Sequence, residues 1–156
     1  MIDAGPIIHL HELGALELLF HLGEIFVPRK VAEEAEHHRP GVTAQIQGHI
    51  VGEADTMSTR LHKITRLHDL HAGEVAALAW VEKFGADLFV SDDKAARAAA
   101  DDMHYESTGT LGVILEAADS GKISNSAATR LVKSVRTEST LHASTGLLRK
   151  VIAKLR

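Results

Sequence analysis

Cysteine is absent from this chain of 156 residues. That excludes disulfides, a thiolate nucleophile and any thiolate-held zinc or iron–sulfur site. Aromatic residues are scarce, at one Trp, one Tyr and four Phe, which argues against binding single strands by stacking bases on rings. Trp80, Phe84 and Phe89 stand at helix and strand spacing and are expected in the core. No apolar run approaches the roughly 20 residues needed to cross a bilayer, and no basic start with an apolar centre marks a secretory signal. The chain therefore reads as cytoplasmic. It also lacks a positive net charge, standing at −4, which on its face disfavours a phosphate-rich partner. The distribution qualifies that: residues 130–156 hold seven basic residues (Arg130, Lys133, Arg136, Arg149, Lys150, Lys154, Arg156) and one acid. This segment either touches nucleic acid or an acidic partner, or is a solvated helix face.

With 45% apolar residues, the chain is long enough to bury one sizeable core, and a single domain over 1–156 is expected, ending in a basic helical segment from about 124. Met1-Ile2-Asp3 reads as a strand stub, with Pro6 tolerated in the first turn of the helix that follows. Gly14 is expected to separate a pair of short helices, and Ile25–Pro28 to form a strand leading into a helix over 29–38. Residues 42–59 are weakly patterned. A helix follows Gly73 and closes near Gly85, a strand covers 87–91, and a helix starts at Lys94. A short strand is expected at 104–106, then helices over 111–119, from Ser124 to about 135, and from about Ser144 to 154. Short strands alternating with helices point to a parallel sheet covered on both faces.

Against this framework five carboxylates stand out: Asp3, Glu34, Glu74, Asp92 and Asp93. Asp3 and Asp92 directly follow strands, and ligands of such sheets bind outside the carboxyl ends of the strands. Glu74 lies in the first turn of its helix, and Glu34 six residues past Pro28. Glu33 and Glu34 point about 100° apart on a helix, and the spacing from Pro28 favours Glu34 as the inward one. Carboxylates that converge repel one another, and a divalent cation with hard oxygen ligands is the usual way to hold them ionised.

Several stretches, in order, resemble the PIN-domain ribonucleases, and within them the small prokaryotic proteins similar to the VapC toxins. They are Asp3-Ala4-Gly5-Pro6-Ile7-Ile8, Pro28-Arg29-Lys30-Val31-Ala32-Glu33-Glu34 and Ala72-Gly73-Glu74-Val75-Ala76-Ala77-Leu78-Ala79, followed by Ala86 through Arg97 and Gly109-Thr110-Leu111-Gly112-Val113-Ile114-Leu115. The resemblance implies a three-layer α/β/α sandwich with a central, mostly parallel sheet. It also implies a nuclease that hydrolyses RNA with Mg²⁺ or Mn²⁺ and leaves a 5′-phosphate and a 3′-hydroxyl. By position it makes Asp3, Glu74 and Asp92 the metal ligands, with Glu34 and Asp93 supporting. Ser91 and Thr110 are candidates to hydrogen-bond a ligand carboxylate or water, and Lys94 and Arg97 to meet a substrate phosphate. The partners implied are RNA, a second copy of the chain and a cognate antitoxin. The chain departs from its relatives at His71-Ala72, where an acid and a proline are frequent. It also places only two residues before Asp3, where chain ends fray.

Other readings stay open. The fold can serve as a non-catalytic nucleic-acid-binding or scaffold module. A phosphatase with an aspartyl nucleophile needs Asp-x-Asp after its first strand, and Asp3-Ala4-Gly5 lacks the second acid. Among the eleven histidines, the pairs His9/His11, His37/His38 and His68/His71 raise a transition-metal site, but no pair belongs to a ligand motif.

Overall fold

The computed structural model describes residues 1–54 and 56–155. Arg156, counted above in the basic tail, lies outside the described residues.

The strands are short: β1 (Phe26–Pro28), β2 (His49–Val51), β3 (Phe89–Val90) and β4 (Ser107–Thr108). β1 pairs in parallel with β2, Phe26 opposite His49, and β3 in parallel with β4, Phe89 opposite Ser107. The N-terminal stub joins the two pairs. Ile2 N–H donates to the Phe26 carbonyl at 3.1 Å, Val90 N–H to the Met1 carbonyl at 2.9 Å, and Asp3 N–H to the Val90 carbonyl at 2.9 Å. The Met1 amine donates to the Leu88 carbonyl at 3.0 Å. A terminus held in this way on both sides does not fray, so Asp3 has a fixed base.

The period of two along these strands sorts the core onto two faces. Ile2, Val27 and Val90 point into one cluster with α1 (Ala4–Glu12), the 3₁₀ turn Leu16–His21, α2 (Arg29–His38), α6 (Thr110–Asp119), α7 (Asn125–Glu138) and α8 (Thr145–Lys154). Met1 and Phe89 point into the other, with α3 (Thr59–Leu67), α4 (Ala72–Phe84) and α5 (Lys94–Asp102). Helices thus cover both faces of a parallel sheet, as expected. No helix among the described residues is long and apolar enough to cross a membrane.

Local signals account for most boundaries. Ser124 and Ser144 accept from the amides of Ala127 at 3.1 Å and Leu147 at 3.2 Å, opening α7 and α8. Gly14, at φ +62°, separates α1 from the 3₁₀ turn.

The structure departs from the sequence reading, or adds to it, at four places. The strand placed at 104–106 lies at 107–108, because His104 (φ +65°) and Tyr105, whose amide donates to the Ala100 carbonyl at 2.9 Å, are spent closing α5. The weakly patterned stretch before residue 60 contains β2 and leads into α3, whose N-cap Ser58 accepts from Leu61 N–H at 3.0 Å. His68 and His71 do not share a helix: His68 ends α3, His71 caps α4, and Asp69 at φ +52° turns the chain between them. Phe84 is not core. It is 56% exposed and stacks on Trp80 at 4.0 Å, on the outer face of α4.

Candidate metal centre

Asp3 leaves the central strand stub as the N-cap of α1 and is 7% exposed. Its Oδ2 accepts from Ser91 Oγ at 2.9 Å. The same hydroxyl oxygen accepts from Asp93 N–H at 3.2 Å, so fully buried Ser91 spans the first acid and the backbone of the last. The Asp93 carboxylate caps α5, accepting from Ala96 N–H at 2.8 Å. Glu74 is the third residue of α4 and reaches back to the His71 N–H at 2.7 Å, half of a capping box. Gly73 shows how close the remaining acids stand. A methyl group built on it would lie 2.9 Å from Glu34 Oε2 and 3.8 Å from Asp3 Oδ1. Four elements thus deliver Asp3, Glu34, Glu74 and Asp93 to one edge of the sheet.

The charges respond to one another. Burial pushes the Asp3 carboxyl up to about 7, and the charges of Glu74 and Glu34 push the same way against hydrogen bonds from the Ala4 backbone and Ser91. Burial also raises Glu74, opposed by the His71 amide bond and reinforced by Asp93 and Glu34. Of the two adjacent acids, Asp93 is the one whose charge reaches Glu74.

Asp92 turns elsewhere. Its Oδ1 accepts from Thr110 N–H at 2.7 Å, and its Oδ2 contacts the Thr110 hydroxyl at 2.5 Å and His9 Nδ1 at 2.7 Å. Sequence reasoning missed this use of His9. The available signal was Gly5 and His9 at i and i+4 on α1: a methyl group on Gly5 would sit 3.5 Å from Asp92 Cβ and 3.7 Å from His9 Cε1. Asp92 therefore clamps α1 to the start of α6. Gly109 permits that clamp, since a Cβ there would stand 2.6 Å from Asp92 Oδ1 and 3.1 Å from the Ser91 carbonyl. Neither atom can yield, one being held by hydrogen bonds and the other being backbone. Gly109→Ala is expected to cost about 1–3 kcal/mol by overpacking, read as a lower urea midpoint with an unchanged m-value. The other candidates have distinct places: Arg97 donates to the Ser91 carbonyl at 2.7 Å, while Lys94 is exposed at the start of α5.

A family model described as PIN domain matches residues 1–156. The chain belongs to the PIN-domain family. No curated protein and no solved structure matches it at a significant level. PIN domains are generally nucleases and generally use divalent metals.

Among the described residues, no three His, Asp or Glu side chains stand at ligand spacing. Each carboxylate has a donor from the protein: Ser91 for Asp3, the His71 amide for Glu74, the Ala96 amide for Asp93. The donor chemistry nevertheless fits a hard divalent ion. All are carboxylate oxygens, and two of them, on Asp3 and Glu74, have raised pKa values that a neighbouring cation would reverse. The histidine pairs do not compete for one. His9 goes to Asp92, His11 approaches Gln45, His68 pairs with Asp102 at 2.8 Å, and His37 and His38 form an edge-on ring contact on the surface.

Proposed function

We propose that this PIN domain is a metal-dependent ribonuclease in which Asp3, Glu74 and Asp93 hold Mg²⁺ or Mn²⁺, with Glu34 beside them. The observation that carries this is the convergence of these acids at one sheet edge, where Ser91 Oγ donates to Asp3 and accepts from the Asp93 amide and Glu34 stands with Asp3 against Gly73; burial raises Asp3 and Glu74, and the charge of Glu34 pushes both the same way. When bound, such an ion lowers the pKa of a coordinated water and neutralises charge on the phosphoryl oxygens of an in-line displacement.

The chain's own residues do the rest. Burial of Asp3 and Glu74 excludes bulk water on the protein side. The capping box holds Glu74 in one rotamer, and the Ser91 hydroxyl holds Asp3 in another. Exposed Glu34 lies on the solvent side, where its carboxylate can accept a hydrogen bond from an incoming water. Lys94, one residue past Asp93 and exposed, faces incoming phosphate charge. The acids repel a phosphate at this edge, and a bound cation would offset that charge.

The test is a panel of end-labelled RNAs incubated with the purified protein in Mg²⁺, in Mn²⁺ and in EDTA. Cleavage that leaves 5′-phosphate ends and stops in EDTA is expected. Intact RNA in every metal, with the protein folded, would refute the proposal and leave a non-catalytic binding module.

A further inference from the structure

A groove of about 470 Å³ opens at Asp92 and runs between α5 and α8, with Leu111 of α6 and Val151 of α8 in its floor. Four cations line it: Lys94 and Arg97 from α5, Lys150 and Lys154 from α8. None of the four forms an ion pair with a carboxylate among the described residues. The two acids on its wall are both engaged, Asp92 with Thr110 and His9, and Asp101 with Ser107 Oγ at 3.4 Å. A chain with net charge −4 has thus gathered four cations against two carboxylates in one channel, and Asp92 and Lys94, the sequence neighbours of Asp93, are in its lining.

The far wall is also fixed in place. Glu12, at the end of α1, pairs with Arg39, accepts from Thr140 N–H at 2.6 Å and Ser139 Oγ at 3.0 Å, and so ties down the segment that leads into α8. The period of α8 sorts its basic residues: Leu147, Lys150, Val151 and Lys154 face the groove, whereas Arg149 is not among its lining.

We infer that this groove carries the single-stranded RNA flanking the scissile phosphate, with Lys150 and Lys154 on its backbone phosphates and the Leu111–Val151 floor under its sugars and bases. The inference rests on the nuclease reading above and extends it from the ion to the path of the substrate. An acidic protein segment also matches cations over an apolar floor. RNA is favoured because the groove's inner end reaches the candidate centre: Arg97 in its lining donates to the Ser91 carbonyl at 2.7 Å, and the Ser91 hydroxyl holds Asp3 at 2.9 Å.

The test compares two charge-matched double substitutions, Lys150→Gln with Lys154→Gln, and Lys133→Gln with Arg149→Gln. Binding of a fluorescein-labelled 12-nucleotide RNA is followed by anisotropy in EDTA from 50 to 300 mM NaCl. Each phosphate contact with a single strand contributes about 0.7 to the slope of log Kd against log [NaCl]. The groove pair is expected to flatten the slope by about 1.4 and the control pair to leave it unchanged. Equal flattening by both pairs would mean diffuse attraction and overturn the assignment. So would an unchanged RNA slope accompanied by loss of polyglutamate binding, which would give the groove to an acidic protein. Wild-type cleavage of a dinucleotide, which is too short to reach α8, separates the two levels. If it is cleaved while the groove variants bind RNA as wild type does, only the groove assignment falls; if wild-type protein neither cleaves nor binds RNA, both fall.

Discussion

Asp3→Asn is expected to give a protein that is inactive and, at neutral pH, more stable than the wild type. The Asp3 carboxyl rises from an ordinary 3.8 to about 7 in the folded chain, chiefly through burial. Between those values the folded state holds a proton that the unfolded state has lost. Stability is therefore complete below about pH 4, declines as pH rises through about 7, and is level above it. The total penalty is at most about 4 kcal/mol, at roughly 1.4 kcal/mol per unit. Asparagine carries no charge, and its amide oxygen still accepts from Ser91 Oγ, so the penalty disappears without leaving that hydroxyl unpaired. Urea titrations in EDTA should show the variant ahead of wild type by more at pH 8 than at pH 5. Mn²⁺ should stabilise the wild type, by binding the folded state, and not the variant. An equal gain at both pH values would mean that Asp3 is not the titrating group, and a loss at pH 8 would mean that its charge is already compensated within the protein.

This trade of stability for charge explains why some of the site was legible in sequence and some was not. The acids could be placed because each sits at a boundary with a local signature: Asp3 before Pro6, Glu74 three residues into a helix, Asp92 and Asp93 between an apolar run and an alanine-rich helix. Local signatures state where along the chain a residue lies, and they did so for α1, α2, α4, α6, α7 and α8 as well. They do not state where its side chain turns. Asp92 and Asp93 are consecutive but take different partners, and only the fold shows that Ser91 binds the Asp93 amide while Thr110 binds the Asp92 carboxylate. His9 was illegible for the same reason. Its partner lies 83 residues away, and an i, i+4 Gly-His pair has no meaning until something packs against it. α3 was missed because its inward face is short, Leu61 and Thr65 with half-buried Ile64, set among polar and basic residues. The basic tail was visible as charge but not as a wall, because that depends on α8 and α5 lining one groove.

The two adjacent acids also set the sharpest test of the centre. Asp93→Asn is expected to lower RNA cleavage by at least about 100-fold, since groups one shell removed from a metal already cost 10–100-fold when lost. The fold should survive, because asparagine is as good an N-cap as aspartate and its amide oxygen can accept from Ala96 N–H. Asp92→Asn should cost less. Its amide can keep the Thr110 N–H bond through oxygen and present nitrogen to the Thr110 hydroxyl and His9, so the clamp is weakened but not broken. Calorimetric titration with Mn²⁺ distinguishes the two roles. The Asp93 variant should lose affinity for the ion, and the Asp92 variant should bind it within a few-fold of wild type. The reverse ranking would move the ligand to Asp92, which requires its carboxylate to leave Thr110 and His9 and turn toward Glu74. That rearrangement would break three contacts of 2.7 Å or less, whereas Asp93 keeps its cap while its charge already reaches Glu74.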